Sequence, residues 1–207
     1  MTLVKICGIT NLEDAFASVS AGADALGFNF YRASPRYIQP SAARRIIDQL
    51  PRHVLNVGVF VNESTPEAVR EIAAQAGVTA FQLHGDESPE YCAALADSYV
   101  IKAISASALR DDEIQTYHVT AIMLDAGDKR MRGGTGRTFD WSVASKLVKL
   151  VPKLFLAGGL SPDNVDEAIR QVRPFAIDAC SALEHAPGRK DHDRLRAFIK
   201  KARSVKP

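Results

Sequence analysis

Eight times along this chain a short run rich in valine, isoleucine and phenylalanine is followed by a Gly, Ser, Thr or Pro cluster and then by a segment of helical period. The runs predicted as strands are Leu3–Ile6, Ala23–Phe28, Leu55–Val61, Ala80–Leu83, Val100–Ala103, Ala121–Leu124, Leu154–Ala157 and Phe175–Asp178. Helix starts are legible in Thr65-Pro66-Glu67, Ser88-Pro89-Glu90 and Ser161-Pro162-Asp163, each a capping hydroxyl, a proline at the first helical position and an acid near the positive dipole end. Thr10 with Glu13 reads as a capping box, and Gly22 and Gly77 read as helix stops. Strands this uniformly apolar have no wet face, so they belong to a parallel sheet covered by helices, either closed or open and doubly wound. The count of eight favours closure. The expectation is a single-domain (β/α)8 TIM barrel over residues 1–207, compact beside the ~250 residues usual for that fold.

Charge excludes one class of partner. Lys and Arg total 26 against 24 Asp and Glu, and a net charge of +2 gives no field that argues for nucleic acid. The one basic concentration, Arg189, Lys190, Arg194, Arg196, Lys200, Lys201, Arg203 and Lys206, interleaves with Leu195, Phe198 and Ile199 at helical spacing, so it reads as the solvated face of a terminal helix. Cys7, Cys92 and Cys180 are odd in number and lack Cys-x-x-Cys spacing, against a disulfide framework or structural zinc and in favour of a reducing cytoplasm. No signal peptide and no membrane span is expected, because no apolar stretch reaches the roughly 18 residues a span needs.

In a barrel of this kind the chemistry lies at the C-terminal ends of the strands and in the loops that follow. The residues there are Cys7, Ser34 to Tyr37, His84, Asp125, Gly158-Gly159, and Asp178 with Ser181. Gly158-Gly159 ahead of Ser161-Pro162, together with Cys180-Ser181-Ala182, stands where barrels bind phosphate through backbone N–H groups, so a phosphorylated small molecule is the expected ligand. The same glycines could simply make a tight turn. Cys7 could be a buried hydrophobe, Asp125 a loop carboxylate, Arg36 a surface charge and His84 a structural histidine. The five histidines form no metal-ligand pair, and no nucleotide-binding glycine loop or nucleophile elbow occurs, so neither metal nor cofactor is expected.

Set out in order, Lys5-Ile6-Cys7-Gly8-Ile9-Thr10, Ser34-Pro35-Arg36-Tyr37, Gln82-Leu83-His84-Gly85, Leu124-Asp125, Gly133-Gly134-Thr135-Gly136 with Phe139-Asp140-Trp141, Ala157-Gly158-Gly159-Leu160 with Asn164, and Asp178 to Glu184 are similar to the phosphoribosylanthranilate isomerase family of tryptophan biosynthesis. The resemblance runs from residue 5 to about 191. It implies a cofactor-free Amadori rearrangement of N-(5'-phosphoribosyl)anthranilate, with Asp125 as the acid that protonates the ribose ring oxygen and Cys7 as the base that removes the C2 proton.

For those roles the thiol, ordinarily near ~8.5, needs help from a helix dipole or a cation such as Lys5 or Arg36, while the carboxyl, ordinarily near ~3.9, must rise by desolvation. The resemblance also implies that Arg36 contacts the anthranilate and that Asp178 orders ribose hydroxyls or the loop. Lys5 and His84 are further candidates for substrate contact. Gly134, Gly136, Gly158, Gly159, Ser181 and Ala182 are the implied phosphate cradle. Cys180-Ser181-Ala182 departs from the family's usual Ser/Asn, Ser, Gly/Ser, and alanine restricts the backbone where glycine would not. A histidine-pathway aminoaldose isomerase is the nearest alternative, expected to use paired aspartates. A non-catalytic metabolite-binding barrel is the other, and it would not need Cys7 or Asp125. A monomer is preferred over a homodimer.

Overall fold

Each apolar run becomes a strand, and each strand pairs in parallel with the next until the eighth returns to the first. The computed structural model describes residues 1–106, 114–125 and 141–205. In it β1 (Leu3–Ile6), β2 (Ala25–Asn29), β3 (Leu55–Phe60), β4 (Ala80–Leu83), β5 (Tyr99–Ser105), β6 (Ala121–Asp125), β7 (Leu154–Ala157) and β8 (Ala176–Ala179) close a barrel in sequence order. The closing register is Leu3↔Ala176, Val4↔Ile177, Lys5↔Asp178 and Ile6↔Ala179. The expected barrel is therefore the observed one, and the open sheet is excluded by the β1–β8 pairing.

Around it lie α1 (Leu12–Ala21), α2 (Pro40–Ile47), α3 (Pro66–Ala76), α4 (Pro89–Ala93), α5 (Ser142–Leu147), α6 (Val165–Val172) and α7 (His192–Ser204). Thr65 and Ser88 cap as expected, accepting from Ala68 N and Tyr91 N at 3.2 Å each. Gly22 and Gly77 end their helices at φ 105° and 78°, where an L side chain is strained.

Four local expectations are corrected. The first helix is capped by Asn11, whose side chain accepts from Asp14 N at 2.9 Å, while the Thr10 hydroxyl leaves to donate to Gly188 O. Ser161 opens a turn rather than the helix: Asn164 accepts from Ser161 N at 2.9 Å and α6 starts at Val165. β2 begins two residues later than predicted because Asp24 turns its carboxylate onto Val4 N at 2.7 Å and onto Arg203. Finally, Arg189 and Lys190 are not on the terminal helix. They form β10 (Arg189–Lys190), antiparallel to β9 (Glu184–Ala186), and Lys190 is buried. Of the rest, Arg194, Arg196, Lys200 and Lys201 are exposed and Leu195, Phe198 and Ile199 of α7 are buried against the barrel, whereas Arg203 is half-buried against Asp24 and Lys206 lies outside the described residues.

Two apolar layers result. Outward-facing strand residues such as Val4, Ile6, Leu26, Phe28, Leu124 and Leu156 pack under the helices, each full burial contributing roughly 1.5–3 kcal/mol. Inside the barrel, six alanines (Ala25, Ala80, Ala103, Ala121, Ala157, Ala176) surround Val57, Ile101, Met123 and Phe155. Side chains alternate along a strand, so the next inward positions above that floor are Gln82 and His84 after Ala80, Asp125 after Met123, and Asp178 and Cys180 after Ala176. The polar residues of the chain's strand ends thus share one lumen.

A buried ion pair, Lys102 Nζ of β5 to Glu87 Oε2 at 2.7 Å, fixes the loops after β3 and β4. Lys102 also donates to Gly85 O at 2.6 Å, and Glu87 accepts from Asn62 N and Gly85 N. Gly85 is required there, because a Cβ would lie 2.1 Å from Asn62 Oδ1 and 2.9 Å from Asn62 N. Gly85→Ala is expected to cost about 1–3 kcal/mol as overpacking, lowering Tm by a few degrees to about ten, measurable by calorimetry.

Candidate active site

Lys5 follows from the β1–β8 register. Its Nζ meets Asp178 Oδ1 at 2.8 Å with the lysine wholly buried, so Lys5 and Asp178 face each other rather than solvent. Burial alone would depress the Lys5 ammonium, but the carboxylate of Asp178 and the thiolate of Cys7 outweigh it and hold its pKa above the ordinary lysine value. Burial pushes Asp178 up to about 7 against the pull of Lys5, and the charge on Cys7 adds to the rise.

Cys7 lies one strand step above Lys5, buried under the backbone of β2: a Cβ on Gly27 would stand 2.7 Å from its Sγ and 3.1 Å from Lys5 Nζ. Glycine at 27 is what lets the thiol and the ammonium come together. The Cys7 pKa is held well below the usual thiol value, first by a hydrogen bond from the Cys180 thiol, then, against its own burial, by Lys5 and Lys190. The sequence pointed to Lys5 and missed both Cys180 and Lys190.

Lys190 had looked like one more solvated charge. Its side chain is buried, with Nζ donating to Cys7 O at 2.6 Å and to Glu184 Oε1 at 2.9 Å. Pro187 and Gly188 ahead of it, with the Asp191 cap behind, were the available signal that it precedes the helix. Glu184 is the hub. Arg36 Nε donates to both its oxygens at 3.0 and 2.9 Å and Nη2 to Oε2 at 2.6 Å, a paired-fork geometry that lysine could not reproduce. Burial would raise the Glu184 carboxyl, but these donors hold it below the usual carboxylate range. Arg36 keeps a side-chain exposure of 22% toward the mouth.

Across the lumen, Asp125 is one-third exposed, with Oδ2 at 3.4 Å from His84 Nε2. Gln82 lies on the other ring nitrogen at 2.7 Å; with its amide donating to Nδ1, the ring proton sits on Nε2 and faces the Asp125 carboxylate. His84 therefore touches the predicted acid. Gly158 and Gly159 both take left-handed φ (86° and 67°), and a Cβ on Gly159 would meet nothing within 4 Å, so backbone conformation alone demands glycine there. Ser181–Leu183 is a 3₁₀ turn whose Leu183 N bonds Cys180 O at 3.1 Å, leaving the N–H groups of Ser181 and Ala182 ahead of that bond. Among the described non-glycine residues only Asn62 and Arg173 have positive φ, so Ala182 is compatible with its backbone. Gly134 and Gly136 lie outside the described residues. Among those described, no group of three His, Cys, Asp or Glu could hold a metal ion, and no helix is long and apolar enough to cross a membrane.

A closed (β/α)8 barrel with its ionisable groups gathered at the C-terminal strand ends is the architecture of a barrel enzyme acting on a small molecule. The family model of N-(5'-phosphoribosyl)anthranilate (PRA) isomerase matches residues 4–201, and the chain belongs to that family. It is 50% identical over 206 residues to the N-(5'-phosphoribosyl)anthranilate isomerase of Trichlorobacter lovleyi, covering 99% of this chain and 100% of the relative. The crystal structure of the Thermotoga maritima phosphoribosylanthranilate isomerase superposes with a TM-score of 0.90 at 47% identity, covering 99% of this chain and 100% of that one. A phosphoribosylanthranilate isomerase solved in complex with reduced 1-(o-carboxyphenylamino)-1-deoxyribulose 5-phosphate gives 0.87 at 45% identity, with the same coverage.

Proposed function

We propose that this chain is an N-(5'-phosphoribosyl)anthranilate isomerase of tryptophan biosynthesis, acting by general acid–base catalysis with Asp125 as acid and Cys7 as base. The observation that carries it is the Cys7 thiol buried between Lys5 and the Lys190–Glu184 pair, at the mouth of a barrel of this family. Protonation of the ribose ring oxygen by Asp125 breaks its bond to C1 and leaves a Schiff base. The Cys7 thiolate then takes the C2 proton, and tautomerisation of the enolamine gives 1-(2-carboxyphenylamino)-1-deoxyribulose 5-phosphate. C1 is reduced and C2 oxidised within one molecule, an intramolecular oxidoreduction that asks for no external cofactor.

Arg36, fixed by Glu184 and exposed along one edge, receives the anthranilate carboxylate. Gly158, Gly159, Ser181 and Ala182, with Gly134 and Gly136, supply N–H groups to the phosphate. Lys5 and Asp178 set the field under Cys7, and His84 orients Asp125. The whole chain works as one domain, and its free thiols suit a cytoplasmic enzyme. Every named residue comes from one chain, so a monomer suffices, although a T. maritima relative, 44% identical, is described as dimeric; light scattering on the purified protein reads the state. Adding the protein to freshly generated phosphoribosylanthranilate is expected to extinguish the anthranilate-type fluorescence. A folded protein that leaves the signal unchanged sinks the assignment.

A further inference from the structure

The mouth of the barrel holds two thiols where the reaction uses one. The β1–β8 register runs Lys5↔Asp178, Ile6↔Ala179, and Cys7 N still donates to Ala179 O at 2.9 Å, so Cys7 and Cys180 are the next facing pair. Two residues below, the equivalent pair brings Lys5 and Asp178 into contact at 2.8 Å. Strand alternation turns both thiols to the same inner side. Backbone closes on them from both flanks: a Cβ on Gly27 would stand 2.7 Å from Cys7 Sγ, and one on Gly8 would stand 2.8 Å from Cys180 Sγ. Lys190 ties the two segments together, with Nζ at 2.6 Å from Cys7 O and 3.5 Å from Cys180 O.

The charges around the pair are unequal. Cys7 has the Lys5 ammonium below it and Lys190 beside it; Asp178 also feels its charge but is engaged by Lys5. Cys180 Sγ lies within donor reach of Glu184 Oε1 at 3.7 Å and accepts from Lys190 Nζ at 3.9 Å. Glu184 is nearly saturated as an acceptor, with Oε1 taking Arg36 Nε, Lys190 Nζ and Gly188 N, and Oε2 taking Arg36 Nε and Nη2. Oε1 is thus a long acceptor for the Cys180 S–H, already occupied by three shorter bonds, so the proton can turn to Cys7 on the other side, and the neighbouring carboxylate disfavours ionising Cys180 itself.

We propose that Cys180 is a positioning residue that keeps Cys7 ionised by donating its S–H to the Cys7 sulfur, with Glu184 on the far side ensuring that the proton stays on Cys180. The directions agree: the hydrogen bond between the thiols lowers Cys7 and raises Cys180. Two like acids this close share one proton, and the fixed charges decide which keeps it. Cys180 needs no contact with substrate for this. The inference rests on Cys7 being the base, but the thiolate can be read without turnover.

The test is an ultraviolet thiolate titration of reduced wild type, Cys180→Ala and Cys180→Ser, with Cys7→Ala assigning the signal; Cys92, pushed up to about 11 by burial, stays out of the window. Wild type is expected to show one thiolate titrating well below the ordinary range. Cys180→Ala moves it up by about a unit or more, roughly tenfold less thiolate below the midpoint, and Cys180→Ser, which still donates, restores most of the shift. The acid limb of kcat/KM follows in the same order, with kcat changing more than KM. As a check on the unsubstituted protein, iodoacetamide is expected to label Cys7 at neutral pH and Cys180 only at much higher pH. An unmoved titration in Cys180→Ala, equal losses in both variants, or labelling in the reverse order overturns the proposal. If the titrations behave as expected while wild type does not turn over phosphoribosylanthranilate, the proposed function fails and the thiol pairing stands.

Discussion

Cys7→Ser is expected to fold as wild type and to lose about 10³-fold in kcat, within the ~10²- to 10⁴-fold that a placed proton-transfer group contributes, or about 4 kcal/mol of barrel-mouth chemistry. Serine keeps the volume and a hydrogen-bonding hydroxyl but cannot ionise in the accessible pH range, so Lys5 and Lys190 have no thiolate to stabilise. Lys5 keeps its 2.8 Å contact with Asp178, which protects the fold from an unpaired buried charge. In the proposed site substrate binding is assigned to Arg36 and the glycine turns, so KM is expected to change by no more than a few-fold, with kcat and kcat/KM falling together. The pH profile sharpens the reading. A base with a depressed pKa is competent above that value and is lost as pH falls through it, so wild type is expected to keep its activity well below the ordinary thiol range. In Cys7→Ser that acid limb disappears. A serine variant retaining more than a tenth of wild-type kcat would remove Cys7 from the mechanism.

The barrel and its principal candidates were legible because they depend on local signals. Strand runs, proline-led helix starts and the glycine stops at 22 and 77 are written in adjacent residues, and strand ends point to where the chemistry lies. What was not legible depends on register. Nothing near Cys180 in sequence says that it faces Cys7, some 173 positions away, until β8 pairs with β1. Lys190 looked solvated because its neighbours on α7 are, and only the β9–β10 hairpin turns it inward. Glu184 carries no signal of its own as the hub of two cations. The capping box slipped by one residue because Asn11 and Asp14 compete with Thr10 and Glu13 for the same N–H groups, and Thr10 is claimed by Gly188.

Asp125→Asn is expected to lower kcat/KM by roughly 10²- to 10⁴-fold while preserving the site's shape, since the amide is isosteric and leaves an oxygen for the Nε2–H of His84. The loss differs in kind from that of Cys7. Ring opening needs a proton delivered to the ribose oxygen before any C2 proton can be removed, so the Asn variant stalls before the Schiff base forms, whereas the Cys7 variants stall after it. Substrate analogues already in the open form discriminate between the two: such a compound should exchange its C2 proton with solvent deuterium in Asp125→Asn and not in Cys7→Ser. The pH profile separates them again, because a general acid must be protonated to act, and the limb on which rate falls as pH rises should vanish with Asp125. Tm is expected to move little, the carboxyl being one-third exposed. If Asp125→Asn retains wild-type kcat/KM, or if both variants block C2 exchange equally in the open analogue, the division of labour between the two residues is wrong.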